Sequence, residues 1–134
     1  MPKRLSNRRQ GNAIVELALG LPLLVLLTFG AIEVANLNYL QQCAADVSYQ
    51  GALMGMRTGL QTTRVESKMN ELLDTLGIEG GTVSIQAIDG TSFDSLATGD
   101  HFEVRTIIPV SNLPFFGGFS TFDTIESARF AVKP

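Results

Sequence analysis

Residues 8–33 read RRQGNAIVELALGLPLLVLLTFGAIE, and the fold of the chain turns on what this stretch is. Leu17 to Ile32 is sixteen residues without a charge. Extending the run to Ala13 and Ala35 takes in Glu16 and Glu33 and reaches about the 20 residues that span a hydrocarbon core. Pro22 lies inside it; proline removes a backbone donor but is tolerated in membrane helices when neighbours satisfy the freed carbonyl. It marks either a mild kink or a point where the helix can partly unwind. Glu16 is the odd residue. A carboxylate at the edge of the bilayer core is costly, and such residues are functional suspects by default.

The flanks orient the segment. Lys3, Arg4, Arg8 and Arg9 precede the run with no acid among them. The positive-inside rule then places the N-terminus in the cytoplasm and everything after the run outside. A cleaved secretory signal peptide would share the basic head and apolar middle. However, Glu33 interrupts the small residues of GAIEVAN where a cleavage site would fall, and the helical pattern continues without a break.

That continuation places Leu40, Cys43, Ala44, Val47 and Met54 on one face at three-to-four spacing. One helix from about Asn12 to about Arg57 is expected, roughly 65–70 Å long at 1.5 Å per residue. Gly51, Gly55 and Gly59 recur every four residues near its end, either for close packing or as a weak, fraying terminus. Next, TTRVESKMNELLDTLGI (62–78) reads as an amphipathic helix over 61–76. Thr63 and Glu66 form a capping-box pattern, Val65, Met69, Leu72, Leu73 and Leu76 form an apolar stripe, and Gly77 stands where the helix should stop, with Ile78 able to fold back.

The period then changes to two. Val83, Ile85 and Ala87 alternate with Thr82, Ser84 and Gln86, and Phe102, Val104, Thr106, Ile108 and Val110 alternate with Glu103, Arg105, Ile107 and Pro109; a last strand carries Ala128, Phe130 and Val132 on one face. The fold class is therefore α+β: a long N-terminal transmembrane helix extending into a small domain with a second amphipathic helix and an antiparallel sheet of about three strands. The expected organisation is a basic leader over 1–11, a transmembrane helix over 12–35, its extracytoplasmic continuation over 36–59, and a small extracytoplasmic α+β domain over 60–134.

Composition narrows function. From Asn36 onward there are eleven acids against six bases, which gives no electrostatic reason to expect nucleic acid. Cys43 is the only cysteine and reads as a small buried hydrophobe. His101 is the only histidine, so His-pair metal sites are excluded, and no nucleophile–base set or phosphate-binding loop is visible. Asp89, Asp94 and Asp100 share a loop at spacings that do not match an EF-hand and read as solvated turn residues. Phe115, Phe116, Phe119 and Phe122 form an aromatic cluster, expected either in the core or at a contact surface. No enzyme activity, cofactor or metal is expected.

Gly11 follows the basic leader, precedes the span and lies five residues before Glu16. This resembles the processing signal of type IV pilin-like proteins, in which a membrane aspartyl peptidase cuts after the glycine and leaves a glutamate at mature position five. Gly11, Val15, Glu16, Leu21, Pro22, Phe29, Gly30 and Glu33 further resemble the TadE-like minor pseudopilins of the tight-adherence (Tad, or Flp) pilus system, over about residues 8–59. Leu17 stands where many members of these families carry an aromatic residue. The resemblance implies cleavage by a prepilin peptidase between Gly11 and Asn12, and residence in the bacterial inner membrane or a surface pilus used for adhesion. It implies other pilin and pseudopilin subunits and a pilus assembly platform as partners. It gives Glu16 a role in assembly, pairing with the free ammonium of a neighbouring subunit, with Pro22 as a packing kink; snorkelling to the headgroups is the alternative for Glu16 and the expected behaviour of Glu33. The runner-up is an unprocessed single-pass accessory protein of an envelope secretion system.

Overall fold

The computed structural model describes residues 7–57, 59, 61–110 and 123–134, with side chains from residue 13 onward. The elements are helix α1 (Asn7–Gly55), helix α2 (Thr62–Thr75), strand β1 (Thr82–Ala87), a 3-10 turn at Phe93–Ser95, strand β2 (His101–Pro109) and strand β3 (Thr124–Val132). The strands form one antiparallel sheet in the order β1-β2-β3. This is the α+β class expected from the periodicities. Helix α1 starts five residues earlier and ends two residues sooner than the pattern suggested. The early start has a simple cause: Arg8, Arg9 and Gln10 are good helix formers. The aromatic cluster at Phe115, Phe116, Phe119 and Phe122 lies outside the described residues.

The chain divides into two units, Met1–Ala35 and Asn36–Pro134. In the first, α1 runs through Pro22 as one helix. Ile14, Leu17, Leu19, Leu21 and Leu23 through Leu27 are all exposed. The most apolar window is entirely unburied, so this is not the core helix of a soluble domain. Exposed apolar surface on that scale marks a surface for a membrane or for protein partners. Thr28 donates its hydroxyl proton to the Leu24 carbonyl at 2.8 Å, which satisfies the one hydroxyl of the run.

In the second unit the last five turns of α1 lie against the sheet. Their buried face is Cys43, Ala44, Val47, Ser48, Gly51, Ala52 and Gly55, all small. The narrow face lets large residues from the sheet and α2 reach the helix backbone. A Cβ at Gly51 would stand 2.6 Å from Met69 Sδ, and one at Gly55 would stand 2.6 Å from Phe102 Cε2. Gly59 is different: it lies past the helix with φ +78° and has open space around it, so it serves the turn.

Phe102, Val104, Thr106 and Ile108 are buried on the inner face of β2, with Val110 buried just past its end; Val104 and Phe102 lie opposite Ile85 and Ala87 of β1. Phe93, from the 3-10 turn, meets Phe102 edge to face with ring centroids 5.1 Å apart. Such a pair contributes about 0.5–1.5 kcal/mol beyond its area burial. Lys133 Nζ sits 4.7 Å from the Phe93 ring centroid and donates to the Phe93 carbonyl at 3.0 Å.

Strand β3 pairs with β2 so that its apolar-rich face turns outward. Ala128, Phe130 and Val132 do share a face, but it is the outer one, and Phe130 is 65% exposed. The inner residues are Ile125, Ser127 and Ala131. Pairing fixes this: Phe130 lies opposite Glu103, and Ala131 opposite the buried Phe102. A one-residue slip would exchange the two faces.

Helix α2 ends as read. Gly77 takes φ +70°, its N–H donates to the Asp74 carbonyl, and the Ile78 N–H donates to the Leu73 carbonyl at 3.0 Å, a Schellman closure. Its start is a correction. The N-cap is Gln61 with no side-chain cap, so Thr63 and Glu66 do not form the capping box. Instead Asp94 Oδ1, from the 3-10 turn, accepts the Thr62 N–H at 2.8 Å. Of the stripe, Val65, Met69 and Leu73 are buried, while Leu72 and Leu76 are half-buried at its border. Leu73 is therefore the sensitive position. Leu73→Asp places an unpaired carboxylate in a site only 2% exposed and should cost several kcal/mol, about 3 or more. Urea unfolding of the detergent-solubilised chain measures it; an unchanged midpoint would remove α2 from the core.

Candidate functional site

The sequence motif occupies the first unit. Gly11 and Asn12 lie within α1, with side chains outside the described residues. Glu16 is exposed and has no ion pair among the described residues. Asn12 and Glu16 are four residues apart, so on a helix they occupy neighbouring positions on one flank, about 5–6 Å apart at Cβ. Gly20 follows four residues later on the same flank and meets nothing within 4 Å. Pro22 is exposed within the helix, and Glu33 is half-buried. The fold thus displays the motif along an exposed helix, with no cation beside Glu16 among the described residues.

The acids of the β1–β2 loop have structural work. Asp89 Oδ1 accepts from the Thr91 N–H at 3.0 Å and from its hydroxyl at 2.7 Å, which holds the Asp89 carboxyl below its usual range. Asp100 Oδ2 accepts the Ala97 N–H at 2.8 Å. With Asp94 on the Thr62 N–H, each carboxylate ties down a turn or a helix start. Among the described residues no three His, Cys, Asp or Glu side chains gather as a metal site. His101 is exposed at the start of β2.

Two polar features were not read from the sequence. Ser48, fully buried on α1, bonds Thr106 Oγ1 at 2.9 Å and the Ser127 carbonyl at 3.0 Å. This satisfies buried hydroxyls and links the helix to β2 and β3. Ser48 lies one residue past Val47 in the small-residue stripe, but nothing local distinguishes it from an exposed serine. On the outer sheet face Glu103 is only 8% exposed and accepts from Arg105 Nη2 at 3.0 Å, with Glu126 4.0 Å from the same guanidinium. Cys43 is buried as expected of a lone small hydrophobe.

A single helix long and apolar enough to cross a membrane, continuing into a small helix-and-sheet unit, fits a single-pass membrane protein. Residues 11–53 match the model of a protein family described as TadE-like protein. The match covers most of α1 and bears out the resemblance carried by Gly11, Glu16, Pro22 and their neighbours. The likeness extends over about a third of the chain, residues 11–53. A search of curated proteins and a search of solved structures each found no significant match.

Proposed function

We infer that the protein is a minor pseudopilin that takes part in assembly of a Tad-type pilus for surface adhesion. The observation that carries this reading is the TadE-like match over 11–53, which contains Gly11 five residues before Glu16 at the head of an exposed apolar helix. A prepilin peptidase cuts between Gly11 and Asn12 and removes the basic leader. The new ammonium at Asn12 carries a charge that a membrane-embedded helix cannot leave unpaired. Glu16 supplies the opposite charge to a neighbouring subunit, offsetting part of the desolvation cost of both. Pro22 shapes the helix for packing beside other pilin subunits on the assembly platform. The 36–59 continuation and the 60–134 domain stand outside the inner membrane.

Deleting the gene from its host should abolish or sharply reduce Tad pili and surface attachment, and re-expression should restore both. Normal piliation of the deletion strain, counted by electron microscopy, contradicts the proposal. The topology has its own test. A phosphatase fused after Pro134 should be active, because that enzyme works only outside the cytoplasm. An inactive phosphatase fusion, with a cytoplasmic reporter active at the same position, reverses the orientation.

A further inference from the structure

Helix α2 separates its charges into two flanks. On one, Arg64 and Lys68 join Arg57, from the turn after α1, around a cavity of about 350 Å³ completed by Met54 and Val65. No acid lines it. On the other, Glu66, Glu71 and Asp74 line an open groove of about 690 Å³ with Thr63, Ser67 and Asn70, and no base lines it. The first flank holds three of the six bases that follow Asn36 in an otherwise acidic unit. Arg57 and Arg64 have no ion pair among the described residues, and Lys68 pairs only with Glu71 at the border between the flanks.

Folding does not account for this arrangement. Arg64 stands in the first turn of α2, where the positive end of the helix dipole disfavours a cation, an effect the Asp94 carboxylate on the Thr62 N–H offsets only in part. Lys68, four residues on, adds like-charge repulsion on the same flank. Three cations held together against local preference, beside a complementary acidic groove on the same helix, describe the two halves of a contact between molecules.

We propose that the basic cavity of one copy of this chain receives the acidic flank of α2 from a second copy, head to tail. Glu66 and Asp74 of one copy face Arg57, Arg64 and Lys68 of the next, where guanidinium forks match carboxylates. Head to tail, each copy offers its basic cavity to one neighbour and its acidic flank to another, so the contact is heterologous. Repeated without closing, it generates a helical row of units. Its charges set partner choice and encounter rate more than raw affinity. The contact goes beyond the pseudopilin reading and does not depend on cleavage at Gly11, since every residue in it belongs to the Asn36–Pro134 unit.

The test uses the full chain in detergent micelles, with self-association measured by sedimentation at low ionic strength and at about 0.5 M salt, where surface charges are screened. Wild type should associate at low ionic strength and dissociate in salt. R64E/K68E and E66K/D74K should each weaken association about ten-fold or more. An equimolar mixture should recover to within about three-fold of wild type, because the two reversed faces complement each other. R57Q, outside both helices, should weaken association without touching the stability of α2. Three results overturn the proposal: a monomeric wild-type chain at low ionic strength, variants that associate as wild type does, or a mixture that fails to recover. A leader-processing defect changes none of these readouts, so failure here and failure of the pseudopilin reading are separable.

Discussion

Gly55→Leu should unfold the Asn36–Pro134 unit, and even Gly55→Ala should destabilise it. In an exposed helix interior, glycine to alanine is favourable by about 1 kcal/mol. Here the sign reverses. The added Cβ would stand 2.6 and 2.7 Å from Phe102 Cε2 and Cζ and 3.1 Å from Ile85 Cδ1. Phe102 is fully buried and held against Phe93, so its ring has nowhere to go. Overpacking of this kind costs about 1–3 kcal/mol for a methyl group and more for a branched side chain. Gly51→Ala supplies the contrast. Its Cβ meets Met69 Sδ at 2.6 Å and Val104 Cγ1 at 2.8 Å. Methionine can rotate away, and the interior helix position regains part of the propensity difference. Urea unfolding followed by circular dichroism should therefore rank wild type above Gly51→Ala, Gly51→Ala above Gly55→Ala, and show no folded baseline for Gly55→Leu. A cooperative wild-type melt from Gly55→Leu would mean that the small-residue seam of α1 does not set the distance to the sheet.

Gly11→Leu and Glu16→Ala should both abolish pilus formation, at different steps. A side chain at the residue before the cut obstructs the peptidase, so Gly11→Leu leaves a full-length protein in the membrane. Glu16→Ala is still cut, wholly or largely, because the peptidase acts before any partner ammonium exists. It then fails to join its partner subunits, since an ammonium in a low-dielectric bundle is left unpaired, a loss of about 3–5 kcal/mol when one member of a buried pair is removed. Glu16→Gln keeps the shape and removes the charge, and should behave as Glu16→Ala. Co-purification with pilin subunits reads the assembly step. Glu16→Gln that assembles normally would assign Glu16 to the headgroup region and remove it from assembly.

Regular periodicity was legible wherever one element buried one face by its own pattern. The alternation from Phe102 to Val110 gave β2, and Leu73, Gly77 and Ile78 gave the body and end of α2. What escaped depended on residues far apart in the chain. The Thr62 N–H is held by Asp94, thirty-two positions away, and the helix starts at Thr62, so Thr63 already lies inside it and cannot act as the cap. The outward face of Ala128, Phe130 and Val132 follows from the register against β2, which side-chain alternation alone does not contain. Ser48 is buried because Thr106 and the Ser127 carbonyl meet it there. The candidate site shows the reverse pattern. Gly11, Asn12, Glu16 and Pro22 could be named from their order along the chain, yet Glu16 has no ion pair among the described residues.

Assembly through Glu16 requires the ammonium that only cleavage creates, so the identity of the mature N-terminus is decisive. Intact-mass and N-terminal peptide analysis of the protein extracted from piliated cells should find a chain beginning at Asn12, with residues 1–11 removed. A chain beginning at Met1 or Pro2 in cells that assemble normal pili would contradict the account and leave an unprocessed membrane-anchored accessory protein in its place.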